Sequence, residues 1–224
     1  MAELIVAFDV PSGRDALALA DRLPGLRWAK LGPVLFAREG PAIVREFQAR
    51  GLRVFLDLKW HDIPSTVAGA VGAARELGVA LATVHCLGGR AMLEQAVGAA
   101  GDLPLVGVTV LTSHGVVELE QTLGRGIPDL GVEAERLARI AIVAGLRGVV
   151  ASGAEVPLLR ARLGPDPWLV VPGIRMPGEP THDQTRTITP AEAVGRGATH
   201  LVVGRPITAA ADPAQAFDRI AAAL

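Results

Sequence analysis

Eight short apolar runs, separated by stretches of helical length rich in Ala, Leu, Arg and Glu, constrain this chain more than any other feature. The runs are Leu4–Phe8, Trp28–Leu31, Val54–Leu58, Leu81–Val84, Leu105–Val110, Gly148–Ala151, Trp168–Val171 and Leu201–Val203. Near-continuous apolar strands are the mark of a parallel sheet buried on both faces beneath helices. Eight strand–helix units in 224 residues suit a closed barrel, so the expected fold is α/β, a single (β/α)8 TIM barrel over residues 1–224. An open, doubly wound sheet is the alternative. The Gly-rich dinucleotide fingerprint that should then follow the first strand is missing.

Helix signals agree with this alternation. Ser12 with Asp15 three residues on forms a capping-box-like start for a helix over Arg14–Leu23. Two further helices are expected over Val67–Leu77, stopped at Gly78, and Val132–Ala144, stopped at Gly145. Leu137, Ile140 and Ala144 share one face of the latter, which reads as core packing.

Bulk properties exclude several function classes. A net charge of −1 with scattered arginines gives no basic face for nucleic acid. No apolar run reaches membrane-spanning length, and Glu3 interrupts any signal-like N-terminus, so no membrane association is expected. The lone cysteine, Cys86, rules out an internal disulfide and suits a reducing cytoplasm, with a buried, inert thiol. His61, His85, His114, His182 and His200 show no metal-ligand spacing, and no structural metal is expected.

The charged residues carry the chemistry. Only Lys30 and Lys59 are lysines among 22 basic residues. Arg is permanently protonated, whereas Lys can give up a proton and shifts its pKa readily. Lys59 lies in Phe55-Leu-Asp-Leu-Lys-Trp-His-Asp-Ile-Pro-Ser-Thr66, between Asp57 and Asp62. On a strand, Asp57 and Lys59 point the same way, about 7 Å apart along the backbone. Asp62 follows just before Ile63-Pro64, where proline biases the chain out of strand pairing. A buried salt-bridge network is the bland alternative, but such networks are weak sources of stability. A catalytic cluster is the better reading.

Barrel chemistry gathers at the C-terminal ends of the strands. Those ends carry Asp9, Lys30, Asp57 with Lys59, His85, Thr109 with Thr112, Ser152, Arg175 and Arg205. Any one of them could be a cap; together they suggest one rim.

Leu56-Asp-Leu-Lys-Trp-His-Asp-Ile-Pro-Ser-Thr66 resembles the signature of the orotidine 5′-phosphate decarboxylase family. Further matches follow in order: Ala7-Phe-Asp9, Ala29-Lys-Leu-Gly32, Val110-Leu-Thr-Ser113, Pro172-Gly-Ile-Arg175, Asp183-Gln184 and Val203-Gly-Arg-Pro206. The resemblance runs from Leu4 to about Ile220. It departs at Trp60, where a smaller aromatic is expected, and at His182, where Gly is expected.

The resemblance implies decarboxylation of orotidine 5′-monophosphate to uridine 5′-monophosphate (UMP) in pyrimidine synthesis, with no cofactor and no metal. It implies Lys59 as proton donor, within a charged array of Lys30, Asp57, Lys59 and Asp62. Asp9, Lys30 and Thr66 would hold the ribose hydroxyls, and Thr112 and Gln184 the base. Arg175, Arg205 and the Gly204 backbone would take the phosphate, and the Pro-, Gly- and Thr-rich stretch from Arg175 to Pro190 would form a lid. It also implies a homodimer in which Asp62 and Thr66 reach into the partner's site. Two rivals remain: a Mg²⁺-dependent sugar-phosphate lyase of the same superfamily, and a barrel that binds nucleotide without catalysis.

Overall fold

The structure is a computed structural model, and it describes residues 2–177 and 186–224. In chain order the elements are β1 (Glu3–Ala7), α1 (Gly13–Ala20), β2 (Trp28–Leu31), α2 (Pro33–Glu39), α3 (Pro41–Ala49), β3 (Arg53–Trp60), α4 (Pro64–Glu76) and β4 (Leu81–His85). A short 3₁₀ turn (Cys86–Gly88) leads to α5 (Gly89–Ala100), β5 (Leu105–Val108), α6 (Val116–Leu123), α7 (Leu130–Val143), β6 (Gly148–Val150) and α8 (Val156–Leu163). The chain ends with β7 (Trp168–Val171), α9 (Pro190–Gly195), β8 (His200–Val203), α10 (Arg205–Thr208) and α11 (Pro213–Ala221).

All eight strands pair in parallel in sequence order, and β1 closes on β8. This is the expected (β/α)8 barrel. Strand alternation sorts its side chains into two cores. Ile5, Ala7, Trp28, Phe55, Leu81, Val106, Val170 and Val202 point inward and fill the barrel. The intervening residues, such as Val6, Ala29, Leu56 and Leu169, face the helices and join the larger outer core.

That parity sets the site. Two residues beyond the inward Trp28, Phe55 and Leu81 come Lys30, Asp57 and Thr83, so polar groups cap an apolar plug at the C-terminal end of the barrel. At the opposite end Trp28 and Trp168 pack against the His200 ring, with centroids 6.0 and 4.5 Å away.

Several boundaries differ from expectation. The first helix runs over Gly13–Ala20, capped by the Ser12 hydroxyl, which accepts the Asp15 N–H at 3.1 Å. The fourth starts a turn early, because Pro64 pre-sets the backbone at its first position. The seventh begins at Leu130, where Asp129 accepts the N–H groups of Gly131 and Val132. Two helices rather than one follow β2, because Gly40 takes φ +61° and Pro41 opens a new helix. Val110 lies outside its strand, which stops at Val108.

Candidate active site

A cavity of ≈ 470 Å³ opens at the C-terminal mouth of the barrel. Among its lining residues are Asp9, Lys30, Asp57, Lys59, Thr112, Arg175, Gly204 and Arg205, drawn from six different strand ends or the loops that follow them. Eight of the residues singled out from the sequence therefore meet around one space.

The floor is an alternating chain of charges. Lys30 Nζ lies 3.1 Å from Asp9 Oδ1 and 3.3 Å from Asp57 Oδ2, and Lys59 Nζ donates to Asp57 Oδ1 at 2.9 Å. Each Asp57 oxygen is thus held by a different ammonium group. Burial alone would push the Asp57 carboxyl up, but Lys30, Lys59 and the Thr83 hydroxyl hold it below its usual range. Burial likewise opposes charge on Lys30, yet Asp57 and Asp9 raise its pKa above the ordinary lysine value. Asp57 and Lys30 are therefore both charged at neutral pH.

Exposure differs along this chain. The Lys30 and Asp57 side chains are 9% and 11% exposed, whereas Lys59 retains 36%. Lys30 and Asp57 are largely embedded at the cavity floor, and Lys59 is the more accessible of the two ammonium groups. Gly32 leaves room for the Asp9–Lys30 pair: a Cβ there would sit 2.7 Å from Asp9 Oδ1.

The backbone around Lys59 departs from a regular strand. Leu56 pairs with Ala82 and Trp60 with Val84, which leaves Asp57, Leu58 and Lys59 facing Thr83 alone. Extra residues in one strand make a β-bulge, which re-aims side chains. Lys59 takes φ +51°, the one non-glycine with positive φ among the described residues. The fully buried Thr83 hydroxyl accepts the Lys59 N–H at 2.8 Å and donates to Asp57 Oδ1 at 3.1 Å. Sequence reading missed Thr83, which looks like β-branched filler in an apolar run. Its inward parity, two residues beyond Leu81, is the signal that could have found it.

The remaining expected residues divide. Asp62 and Thr66 are exposed and stand outside the cavity of their own barrel, and Asp62 Oδ1 accepts the Ile63 N–H at 2.6 Å. Gln184, with Asp183, His182 and the middle of the expected lid, lies outside the described residues. Three strand-end residues act locally. Thr109 Oγ1 donates to the Val150 carbonyl at 2.9 Å, Ser152 Oγ accepts the Ala154 N–H at 3.3 Å, and His85 Nδ1 accepts the Leu87 N–H at 3.3 Å. The His85 ring also stacks on His61 at 5.4 Å, and burial together with His61 and Lys59 lowers its pKa to about 4.

Arg175 is buried, with Nη1 donating to the Ile174 carbonyl at 2.8 Å, and Arg205 opens α10 directly after Gly204. Arg175 and Arg205 thus add two guanidinium groups to the cavity lining, groups suited to pairing with anionic oxygens.

Comparison with known proteins agrees with this geometry. The family model described as "Orotidine 5'-phosphate decarboxylase / HUMPS family" matches residues 2–220. A relative named orotidine 5′-phosphate decarboxylase from Halorhodospira halophila is 51% identical, covering 98% of this chain and 94% of its own length. One of the same name from Alkalilimnicola ehrlichii is 49% identical, covering 97% and 94%. The crystal structure of orotidine 5′-phosphate decarboxylase from Lactobacillus acidophilus superposes with a TM-score of 0.88 at 33% identity, covering 100% of this chain and 99% of that one. The chain belongs to the orotidine 5′-phosphate decarboxylase / HUMPS family.

Proposed function

We propose that this barrel decarboxylates orotidine 5′-monophosphate to UMP and CO₂, with Lys59 as the proton donor. The observation that carries the reading is the chain Asp9–Lys30–Asp57–Lys59, in which a buried, ionised carboxylate holds a partly exposed ammonium at 2.9 Å. The names of relatives sharing 44% to 51% identity support the same substrate.

The chemistry follows from charge. Breaking the bond between ring carbon 6 and the carboxylate releases CO₂ and leaves an electron pair on that carbon. The Lys59 ammonium stabilises this developing anion and then transfers a proton to it, closing the balance at UMP. Asp57 aims the Lys59 ammonium. Asp9 and Lys30 hold the ribose hydroxyls, Thr112 and Gln184 the base, and Arg175, Arg205 and the Gly204 N–H the phosphate. Binding energy from the remote phosphate is available to the transition state.

The reaction needs no cofactor or metal in this reading. Both Asp57 oxygens already face ammonium groups. A divalent cation placed there would have to displace them, which disfavours the Mg²⁺-dependent lyase. We also infer a homodimer in which Asp62 and Thr66 complete the partner's site. Both side chains are exposed beside Ile63, itself 64% exposed. A cytoplasmic location fits the free, buried Cys86 thiol, whose pKa burial pushes up to about 12. Among the described residues no helix is long and apolar enough to cross a membrane.

One ultraviolet assay tests the activity. Loss of orotidine-monophosphate absorbance that persists in EDTA supports the reading. Turnover that EDTA abolishes points to a metal-dependent lyase, and nucleotide binding without turnover points to an inactive barrel.

A further inference from the structure

Arg186 and Glu155 form a buried ion pair outside the charge cluster described above. Glu155 is 3% exposed, and its second oxygen accepts the Ser152 N–H at 2.8 Å. Arg186 keeps its side chain 17% exposed, directs Nη1 to Glu155, and donates from Nη2 to the Leu111 carbonyl at 3.1 Å. Three separate segments of the barrel mouth, after β5, β6 and β7, therefore converge on one guanidinium group.

The carbonyl it grips matters. The Leu111 C=O and the Thr112 N–H belong to one planar peptide unit, so fixing one fixes the other. Leu111 and Thr112 both line the cavity. Two residues beyond Arg186, the Ile188 carbonyl accepts the Arg175 N–H at 3.0 Å, and the Ile188 N–H donates to Gly173 at 3.2 Å. Gly173 and Arg175, from the segment after β7, line the same cavity. Ile188 is seated tightly on the segment after β6, since a Cβ on Gly153 would lie 2.5 Å from Ile188 Cγ2. Residues 186–188 thus touch both the Thr112 wall and the Arg175 wall.

We propose that Arg186, oriented by Glu155, is a positioning residue that sets the Leu111–Thr112 peptide against the base-binding wall of the cavity and couples it to the Arg175 wall. Arg186 is absent from the cavity lining and acts through groups that are part of it. Stability alone is a poor reason for the pair, because a buried ion pair is a weak source of it. Arginine suits the role because its planar fork can serve a carboxylate and a carbonyl at once, which a lysine ammonium does less rigidly. The inference rests on the proposed function only in taking the Thr112 wall as the base subsite.

The test uses Arg186→Met, Arg186→Lys, Thr112→Ala and the Arg186→Met/Thr112→Ala double variant of the full chain. Hydrogen–deuterium exchange is measured over residues 109–115, together with UMP affinity, kcat and KM for orotidine monophosphate, and thermal midpoint. In Arg186→Met we expect exchange over 109–115 to quicken at least tenfold while strands β3 and β4 keep the parental rate. The same variant should lose at least tenfold in kcat/KM. The double variant should fall within twofold of the worse single variant, because both changes act on one peptide. Unchanged exchange over 109–115 overturns the grip. Multiplying losses, or parental kcat/KM with a lowered thermal midpoint, leave a purely structural pair and overturn the positioning role.

Should Arg186→Met fail to fold, Arg186→Lys decides. It keeps a charge beside Glu155 but lacks the fork, and should show the same changes to a smaller degree. A parental protein with no orotidine-monophosphate turnover would refute the proposed substrate, and the exchange measurement would still decide the grip.

Discussion

The Thr83 hydroxyl lies 2.8 Å from the Lys59 backbone nitrogen and accepts its N–H, filling the place of a strand partner that the bulge in β3 has removed. A left-handed backbone costs a non-glycine residue about 1–3 kcal/mol and persists only where its surroundings enforce it. Here they do, because Thr83 holds the Lys59 amide and Asp57 Oδ1 together. The bulge, the hydroxyl and the carboxylate jointly decide where the ammonium points.

Thr83→Val keeps the shape and removes the hydroxyl. It leaves the partly buried Lys59 N–H without its partner, at a cost of roughly 1 kcal/mol. We expect kcat to fall about 10- to 100-fold as Lys59 loses its aim, with a drop of a few degrees in thermal midpoint, and Thr83→Ser to restore most of both. Steady-state kinetics on the two variants check this. Parental kcat in Thr83→Val would mean that Lys59 is held by other contacts.

Lys59→Arg separates charge from proton. The substituted guanidinium retains the positive charge beside Asp57 but is effectively never deprotonated. General-acid catalysis is typically worth about 10²–10⁴-fold, and a loss of at least that size is expected in kcat. UMP affinity, read by calorimetry, should change far less. Turnover near the parental rate would defeat the general-acid role.

The eight apolar runs reported the barrel because strands buried on both faces leave little room for polar residues. Asp57 and Lys59 could be placed on one face because alternation does not depend on neighbours. Thr83 could not be assigned, since its role exists only where β4 pairs with a bulge in β3, and a bulge is a property of two strands. Gly32 was read only as part of a motif, because the atoms it makes room for belong to Asp9, in the loop after β1. The split after β2 was readable in Gly40-Pro41, a dipeptide that ends one helix and starts the next. Arg186 escaped notice because its partners, Glu155 and Leu111, are distant in sequence.

The closed end of the barrel predicts a pH dependence of stability. His200 sits between Trp28 and Trp168, and burial first, then Arg53 and Arg147, lower its pKa from 6.5 to about 4. The unfolded chain therefore binds a proton below pH 6.5 that the folded chain refuses until about pH 4. Stability present at neutral pH is lost as pH falls through that window, by up to about 3 kcal/mol for this group. In His200→Gln the slope of unfolding free energy between pH 6.5 and 4 should be shallower, measured by urea titration at several pH values. An unchanged slope would place the acid lability elsewhere, His85 being the next group with a pKa lowered to about 4.

The inferred dimer makes the strongest prediction, because its outcome differs in kind rather than degree. Asp62 follows Lys59 by three residues, yet it is exposed and stands outside the cavity of its own barrel. A two-fold interface is isologous, so each subunit would both donate and receive this loop. Lys59→Ala and Asp62→Ala should each be inactive alone. Mixed under conditions that allow subunit exchange, they form dimers in which one site carries both defects and the other carries neither. Activity should then return, to about a quarter of the parental value per total protein if equal amounts assort randomly, since half of the dimers are mixed and half of their sites are intact. If Asp62 instead served its own barrel, every site would keep one defect and the mixture would stay inactive. Native mass spectrometry of the mixture, with one variant isotope-labelled, confirms that exchange occurred, so an inactive but exchanged mixture rejects donation across the interface.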